Sequence, residues 1–158
     1  MHSYLNPAHE TQVRRIAESV GFEHISCSSQ LAPLIEIVAR AQTTVVDAYL
    51  SPVVRGYLRS LVEQFGGPRN CQMLVMTSAG GLDEWQFYSG KDSVLSGPAG
   101  GVTALRAISS SVHRKQLIGL DMGGTSTDVS LCPGRIQETT EGTIAGLPLR
   151  LPIIDIHT

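Results

Sequence analysis

Runs of basic residues are missing from this sequence. Twelve Lys and Arg stand against fourteen Asp and Glu in 158 residues, for a formal net charge of −2. That balance offers no patch for non-specific nucleic-acid binding, and no nucleic-acid partner is expected. Long apolar stretches are also missing. Residues 34–39 and 44–46 are among the longest, and they fall far short of the roughly 20 residues of a membrane helix. No membrane partner is expected. The opening MHSYLNPAHE has no apolar core of the signal-peptide kind. Cysteine is scarce: Cys27, Cys71 and Cys132 are odd in number and far apart. They make neither a metal-ligand pair nor a disulfide framework. Three reduced thiols, packed as small apolar side chains in a cytoplasmic protein, are expected.

What is there suits a globular core. Apolar residues make up 42% and charged residues 16%, ordinary for a folded domain of this length. No repeat or low-complexity tract interrupts the chain.

The chemistry concentrates in LIGLDMGGTSTDVSL, residues 117–131. Residues 117–120 read as a short buried strand that ends on Asp121. Gly123 and Gly124 can take positive φ and let backbone amides approach a ligand. Thr125, Ser126 and Thr127 add three hydroxyls, and Asp128 adds a second carboxylate. A strand follows, where a P-loop or a dinucleotide-binding turn would be followed by a helix. The P-loop lysine and the third spaced glycine are absent. The unit therefore reads as a β-hairpin whose tip presents amides and hydroxyls between two carboxylates. Beside a phosphate, such carboxylates hold Mg²⁺ through water or orient an attacking group. A plain glycine-rich turn would need neither flanking acid.

The rest of the chain alternates helix and strand up to about residue 110. Asn6 and Pro7 start a helix that Gly21 ends. His9 and Glu10 in its first turn read as an exposed pair. Residues 22–27 read as a strand and 28–33 as a loop. Residues 34–40 form a short helix, and a longer one runs over 43–65, with a kink or break expected at Pro52. Residues 73–77 suit a central strand covered on both faces. The loop after it, Ser78 to Gly81 with Gly80, lies beyond a strand end, where ligands of open α/β sheets gather. Residues 83–88 read as one helical turn and 93–96 as a short strand. Gly97 to Gly101, with Gly100, open a helix over 99–110 whose small residues allow close approach of an anion or a second backbone. After the hairpin, 135–139 form a third strand, 141–148 a loop, and 149–156 an extended run. Asp155 and His157, two apart on that run, share a face suited to a polar site.

DMGGTSTDV resembles a phosphate-binding loop of the actin-like ATPase superfamily, and in detail that of the hydantoinase A / 5-oxoprolinase family. SYLNPAHE, TTVVDAYLSP, SVLSGPAGGV and DIHT resemble the same family, so the likeness covers nearly the whole chain. It implies an α/β, actin-like (ribonuclease H-like) fold, with helices on a mixed sheet followed by a β-meander. Residues 1–112 would be the end of the first domain, closing on the interdomain helix, and 113–158 the start of the second. Members of the family are several times longer, so the resemblance implies an internal fragment of an ATP-dependent enzyme. That enzyme would open a cyclic amide, hydantoin or 5-oxoproline, by phosphorylating its carbonyl. It would work with Mg²⁺ and ATP beside a B-type subunit or fused domain, and the isolated chain is expected to be inactive. Asp121 and Asp128 are the expected catalytic and metal-holding residues. Gly123, Gly124, Thr125, Ser126, Thr127, Gly97 and Gly100 are expected at the phosphates. Ser78, Gly80, Gly81, Asp155 and His157 are expected at the substrate. A ketone carboxylase of the same family, a sugar- or acid-kinase-like phosphotransferase and a non-catalytic interaction module are the other readings.

Overall fold

The computed structural model describes residues 2–140, 142–144 and 147–156. The chain divides into two compact units. The first comprises 1–71, 89–91 and 141–151, and the second 72–88, 92–140 and 152–158.

The first unit is built on two helices. Helix α1, Ala8–Val20, starts where Asn6 Oδ1 accepts the Ala8 N–H at 3.0 Å, and it stops at Gly21, left-handed at φ 102°. Residues 22–27 carry no strand: they run as coil into a single turn, α2, Ser28–Leu31. The reason lies in Glu10, whose carboxylate accepts the N–H groups of Ser28 (2.8 Å) and Ser29 (2.9 Å). It satisfies two of the donors a helix start leaves free. His9 is exposed as expected, whereas Glu10 is this cap. Burial alone would raise the Glu10 carboxyl; the bonds from Ser29 and Ser28 outweigh it and hold it below its ordinary value.

Helix α3, Ile37–Gln64, is continuous. The expected gap after residue 40 is absent, and so is a break at Pro52. Proline removes one intrahelical bond, and the packing around the preceding turn compensates. Asp47, only 4% exposed, accepts hydrogen bonds from Ser26 Oγ (2.6 Å), Ser51 Oγ (3.0 Å), Ser89 Oγ and the Lys91 N–H (3.1 Å). Ser51 Oγ in turn accepts the Gly90 N–H at 2.9 Å. Gly90 has no alternative: a Cβ there would stand 2.4 Å from the Ser51 nitrogen. One buried carboxylate thus ties two remote segments to α3. Residues 141–148, expected as loop, carry the strands β6 (Gly142–Ile144) and β7 (Leu147–Leu149).

The second unit holds β1 (Leu74–Met76) and β2 (Leu82–Glu84), paired antiparallel, then α4 (Ser96–Ser111) and the hairpin β3 (Leu117–Met122) and β4 (Thr127–Cys132). Short β5 (Glu138–Thr139) pairs with β8 (Ile153–Ile154). The α/β class stands. Among the described residues, though, the strands pair as four separate antiparallel two-stranded sheets, with no mixed sheet. So β1 is not a strand covered on both faces, and residues 82–84 are its partner strand, not part of a helical turn. Residues 93–96 are no strand either: a 3-10 turn, Gly90–Ser93, leads into α4.

The core of this unit is Ala99, Val102 and Ile154, with Met76, Ile136 and Ile156 packed around it. Helix α4 crosses the hairpin at Gly119. A Cβ at Gly119 would lie 2.5 Å from Ser130 Oγ and 2.8 Å from Leu105 Cδ2. The missing side chain is what lets helix and strand meet. Gly119→Ala is expected to cost about 1–3 kcal/mol, as overpacking does, read as a lower thermal midpoint. No loss of stability would disprove this contact.

Asp47 generates a pH dependence. Burial raises its pKa, but the bonds from Ser26, Ser89, Lys91 and Ser51 outweigh burial and bring it below the ordinary carboxylate value. A carboxyl depressed by folding contributes stability above its unfolded pKa and loses it as pH falls through the folded one. Asp47→Asn is therefore expected to melt lower than the parent at pH 7, the gap narrowing as pH drops below about 4. A gap independent of pH would contradict the charged state of Asp47.

Candidate functional site

The hairpin register decides what the site contains. Leu117 pairs with Cys132, Gly119 with Ser130, Asp121 with Asp128 and Met122 with Thr127. Residues directly opposite in an antiparallel pair, and residues two apart on one strand, share a face. One face of the hairpin therefore carries Leu117, Gly119 and Asp121 beside Cys132, Ser130 and Asp128. This is the face that α4 meets. The other carries Ile118, Leu120 and Met122, which are 71%, 64% and 72% exposed.

Asp121 and Asp128 thus stand opposite each other, about 4.5–5.5 Å apart at Cβ by the geometry of such pairs. Neither side chain makes a hydrogen bond or ion pair among the described residues. Asp121 Oδ2 lies near α4, 3.9 Å from where a Gly101 Cβ would be. Both carboxylates line a cleft of about 330 Å³ between α4 and the hairpin, with Gly101, Val102, Leu105, Ile108, Ser130 and Ile156 among its walls. The sequence reading passes over Ser130. Its only signal is its place two residues beyond Asp128.

At the tip, the Gly123 N–H donates to the Ser126 carbonyl at 2.9 Å and closes the turn. Neither Gly123 nor Gly124 takes a positive φ, contrary to expectation. Their use is room: no atom lies within 4 Å of a Cβ built on Gly124, and only the Ser126 carbonyl oxygen, at 3.5 Å, near one on Gly123. The amides of Gly124 and Thr125 have no backbone acceptor, and Thr125 and Ser126 are exposed, with Thr127 half-buried.

The other expected residues are distributed around this hairpin. Gly97 and Gly100 lie in the first turn and a half of α4, which Leu95 enters in the left-handed region at φ 60°. Ser78 is fully buried, its hydroxyl donating to the carbonyls of Asp92 (2.8 Å) and Val94. Gly80, at φ 78°, is held against Ile154 and Thr103; a Cβ there would meet Ile154 Cδ1 at 2.7 Å. Thr103 Oγ1 lies 3.4 Å from the Gly80 carbonyl. Gly81 donates to Thr77 Oγ1 at 3.2 Å. Asp155 lines a different recess, with Arg135, Gln137 and Glu138, and its N–H donates to the Gln137 carbonyl at 2.9 Å. His157 lies outside the described residues.

Among the described residues no group of three or more His, Cys, Asp and Glu side chains could hold a metal ion. Two partnerless carboxylates nonetheless fit Mg²⁺, which binds through one or two carboxylates and keeps water and phosphate as its other ligands. They offer a foothold for a cation, not a closed cage.

The Hydantoinase/oxoprolinase family model matches residues 40–158. The chain belongs to this family. It is 44% identical over its whole length to 5-oxoprolinase 1 of Arabidopsis thaliana, of which it covers 13%. The chain thus spans about an eighth of that relative. Two solved structures share its fold. One is a nucleotide-free acetone carboxylase, at 28% identity, TM-score 0.86 and coverage of 99% of this chain and 23% of that one. The other is the ATP-dependent caprolactamase of Pseudomonas jessenii, at 25% identity, TM-score 0.78 and the same coverages.

Like charges placed directly opposite destabilise a strand pair by roughly 0.2–1 kcal/mol. In chelator, Asp128→Asn is therefore expected to raise the melting midpoint by about 1–3 °C. Millimolar Mg²⁺ should raise the parent and leave the variant unchanged. A variant that melts lower in chelator would mean the carboxylates are not in repulsion.

Proposed function

We propose that this chain is the part of an ATP-dependent cyclic-amide hydrolase that supplies its second phosphate-binding hairpin. The observation that carries this reading is the facing pair Asp121 and Asp128, without protein partners among the described residues, beside a tip whose Gly124 and Thr125 amides have no backbone acceptor. Membership of the family and the likeness to 5-oxoprolinases and to a caprolactamase support the substrate class.

Residue roles follow from chemistry. Asp121 and Asp128 hold Mg²⁺ through its water shell, and one of them orients the attacking oxygen. The amides of Gly124 and Thr125 and the hydroxyls of Thr125, Ser126 and Thr127 would neutralise phosphate oxygens, with Gly123 closing the turn and leaving them room to approach. Gly97 and Gly100 keep the start of α4 free of side chains beside those phosphates. Gly80, Gly81, Asp155 and His157 form the substrate side, and Ser78, whose hydroxyl, N–H and carbonyl are all bonded within the fold, supports it from behind. Bound ATP would supply the γ-phosphoryl group to the amide carbonyl oxygen, with ADP leaving and Mg²⁺ offsetting the phosphate charge, so that water could open the activated ring. Residues 1–112 belong to the first actin-like domain, with α4 as its interdomain helix, and 113–158 to the second. A B-type subunit or fused domain completes the enzyme in the cytoplasm. No described helix is long and apolar enough to cross a membrane.

A second reading has one specific observation in its favour. The acetone carboxylase structure matches the fold more closely than the caprolactamase does, 0.86 against 0.78. Under that reading the same hairpin activates a carbonyl compound for carboxylation of a ketone, and the loop chemistry is unchanged.

Calorimetric titration of Mg-ATP into the chain and into Asp121→Ala tests the shared part. Micromolar binding by the parent, weakened at least tenfold in the variant, is expected. Equal binding by both would overturn the assignment of Asp121.

A further inference from the structure

Helix α4 lines the cleft with Pro98, Gly101, Leu105 and Ile108 at helical spacing. Leu105 fills the wall at the level of Gly119, where a Cβ on the glycine would meet Leu105 Cδ2 at 2.8 Å. One turn earlier, at the level of Asp121, the stripe carries no side chain, because position 101 is glycine. Gly101 lies inside α4, where glycine is less favourable than alanine. Packing does not call for it. A Cβ built on Gly101 would have one atom within 4 Å, Asp121 Oδ2 at 3.9 Å. Gly80 and Gly119 differ, since a Cβ on either would clash at 2.7 Å or less. The gap at position 101 opens onto a carboxylate oxygen.

We propose that Gly101 opens the helix side of Asp121 to the water shell of the cation held by Asp121 and Asp128. A water bonded to Oδ2 lies about 2.8 Å from it. On the line from Oδ2 to position 101, that water would stand roughly 1.1 Å from an alanine Cβ, the difference between 3.9 Å and 2.8 Å. Carbon and oxygen approach no closer than about 3.3 Å. Alanine excludes such a water and glycine admits it. Mg²⁺ keeps several of its waters when carboxylates bind it, so its shell needs that room. The hydrated cation therefore sits between α4 and the hairpin, in the cleft of about 330 Å³, and not on the outer face of the tip. Gly101 supplies no ligand; it is a positioning residue that sets the side of approach. This rests on the cation site proposed at Asp121 and Asp128, and it adds a helix residue to a site otherwise built from the hairpin.

Mn²⁺ is the probe, because free Mn²⁺ is counted by electron paramagnetic resonance, and the melting midpoint is read on the same samples without metal. The chain, Asp121→Ala, Gly101→Ala and Gly56→Ala are titrated at pH 7. Gly56, exposed on α3 with no atom within 4 Å of a Cβ, controls for the effect of alanine on a helix alone. Both glycine variants are expected to melt up to about 4 °C above the parent, as alanine does in place of an unstrained helical glycine. Gly56→Ala is expected to bind Mn²⁺ as the parent does, and Asp121→Ala to lose it. Gly101→Ala is expected to bind about tenfold more weakly, as loss of one hydrogen bond to a charged group implies. A glycine kept for packing would not combine weaker binding with a higher midpoint. Unchanged affinity in Gly101→Ala, or a midpoint below the parent's, would overturn the role of Gly101 and leave the carboxylate site standing. Absence of uptake by the parent, or full uptake by Asp121→Ala, would overturn both.

Discussion

The approach of α4 to the β3–β4 hairpin at Gly119 sets the site. Which face of a hairpin turns inward is ordinarily chosen by hydrophobicity, because a one-residue slip moves every side chain to the other face. Here the inward face holds Gly119, Ser130 and the two aspartates, while Ile118, Leu120 and Met122 face outward and are more than 60% exposed. Close packing holds the inward face to the helix: only a glycine at position 119 leaves room for Leu105 and Ser130 on one side of the strand. The aspartates are carried to the helix side by the same alternation.

The two units treat their acids in opposite ways. Asp47 is nearly inaccessible and accepts four hydrogen bonds, from Ser26, Ser51, Ser89 and Lys91. Its charge is fully satisfied within the fold, as a buried carboxylate must be. Asp121 and Asp128 have no such partners. Asp47 organises its own surroundings, whereas Asp121 and Asp128 leave their charge to solvent.

Much of the second unit was legible in the sequence because its signals are local. The apolar run ending on Asp121, the glycines and the alternation after Thr127 give the hairpin and its register. Small residues after residue 96 give the start of α4. The first unit was less legible because its decisive contacts are remote. Residues 22–27 alternate as a strand does, but Ser26 is bound to Asp47, and Glu10 caps the turn that follows at Ser28. Pro52 reads as a helix breaker, yet α3 continues through it, with Ser51 and Asp47 fixing the adjoining turn to residues 89–91. Asp47 lies within TTVVDAYLSP, whose likeness to the family was visible. Its role was not, since a single carboxylate on an apolar helix does not announce donors more than 20 positions away.

The facing aspartates also set the sign of the hairpin's response to cations. Two unit charges 5 Å apart repel by about 0.8 kcal/mol in a medium like water, and by several times more where the surroundings are less polar. The α4 side of the pair is walled by Val102, Leu105 and Ile108, while Asp121 itself is exposed and Asp128 half-buried. A divalent cation placed between the carboxylates would offset that repulsion. The cost is confined to the tip, because below Asp121 the strands are held by Gly119 against Leu105 and by Leu117 beside the buried Cys132. The hairpin can therefore carry an unfavourable pair at its end without losing its register. The hairpin thus divides into a packed base and a polar, solvent-facing end.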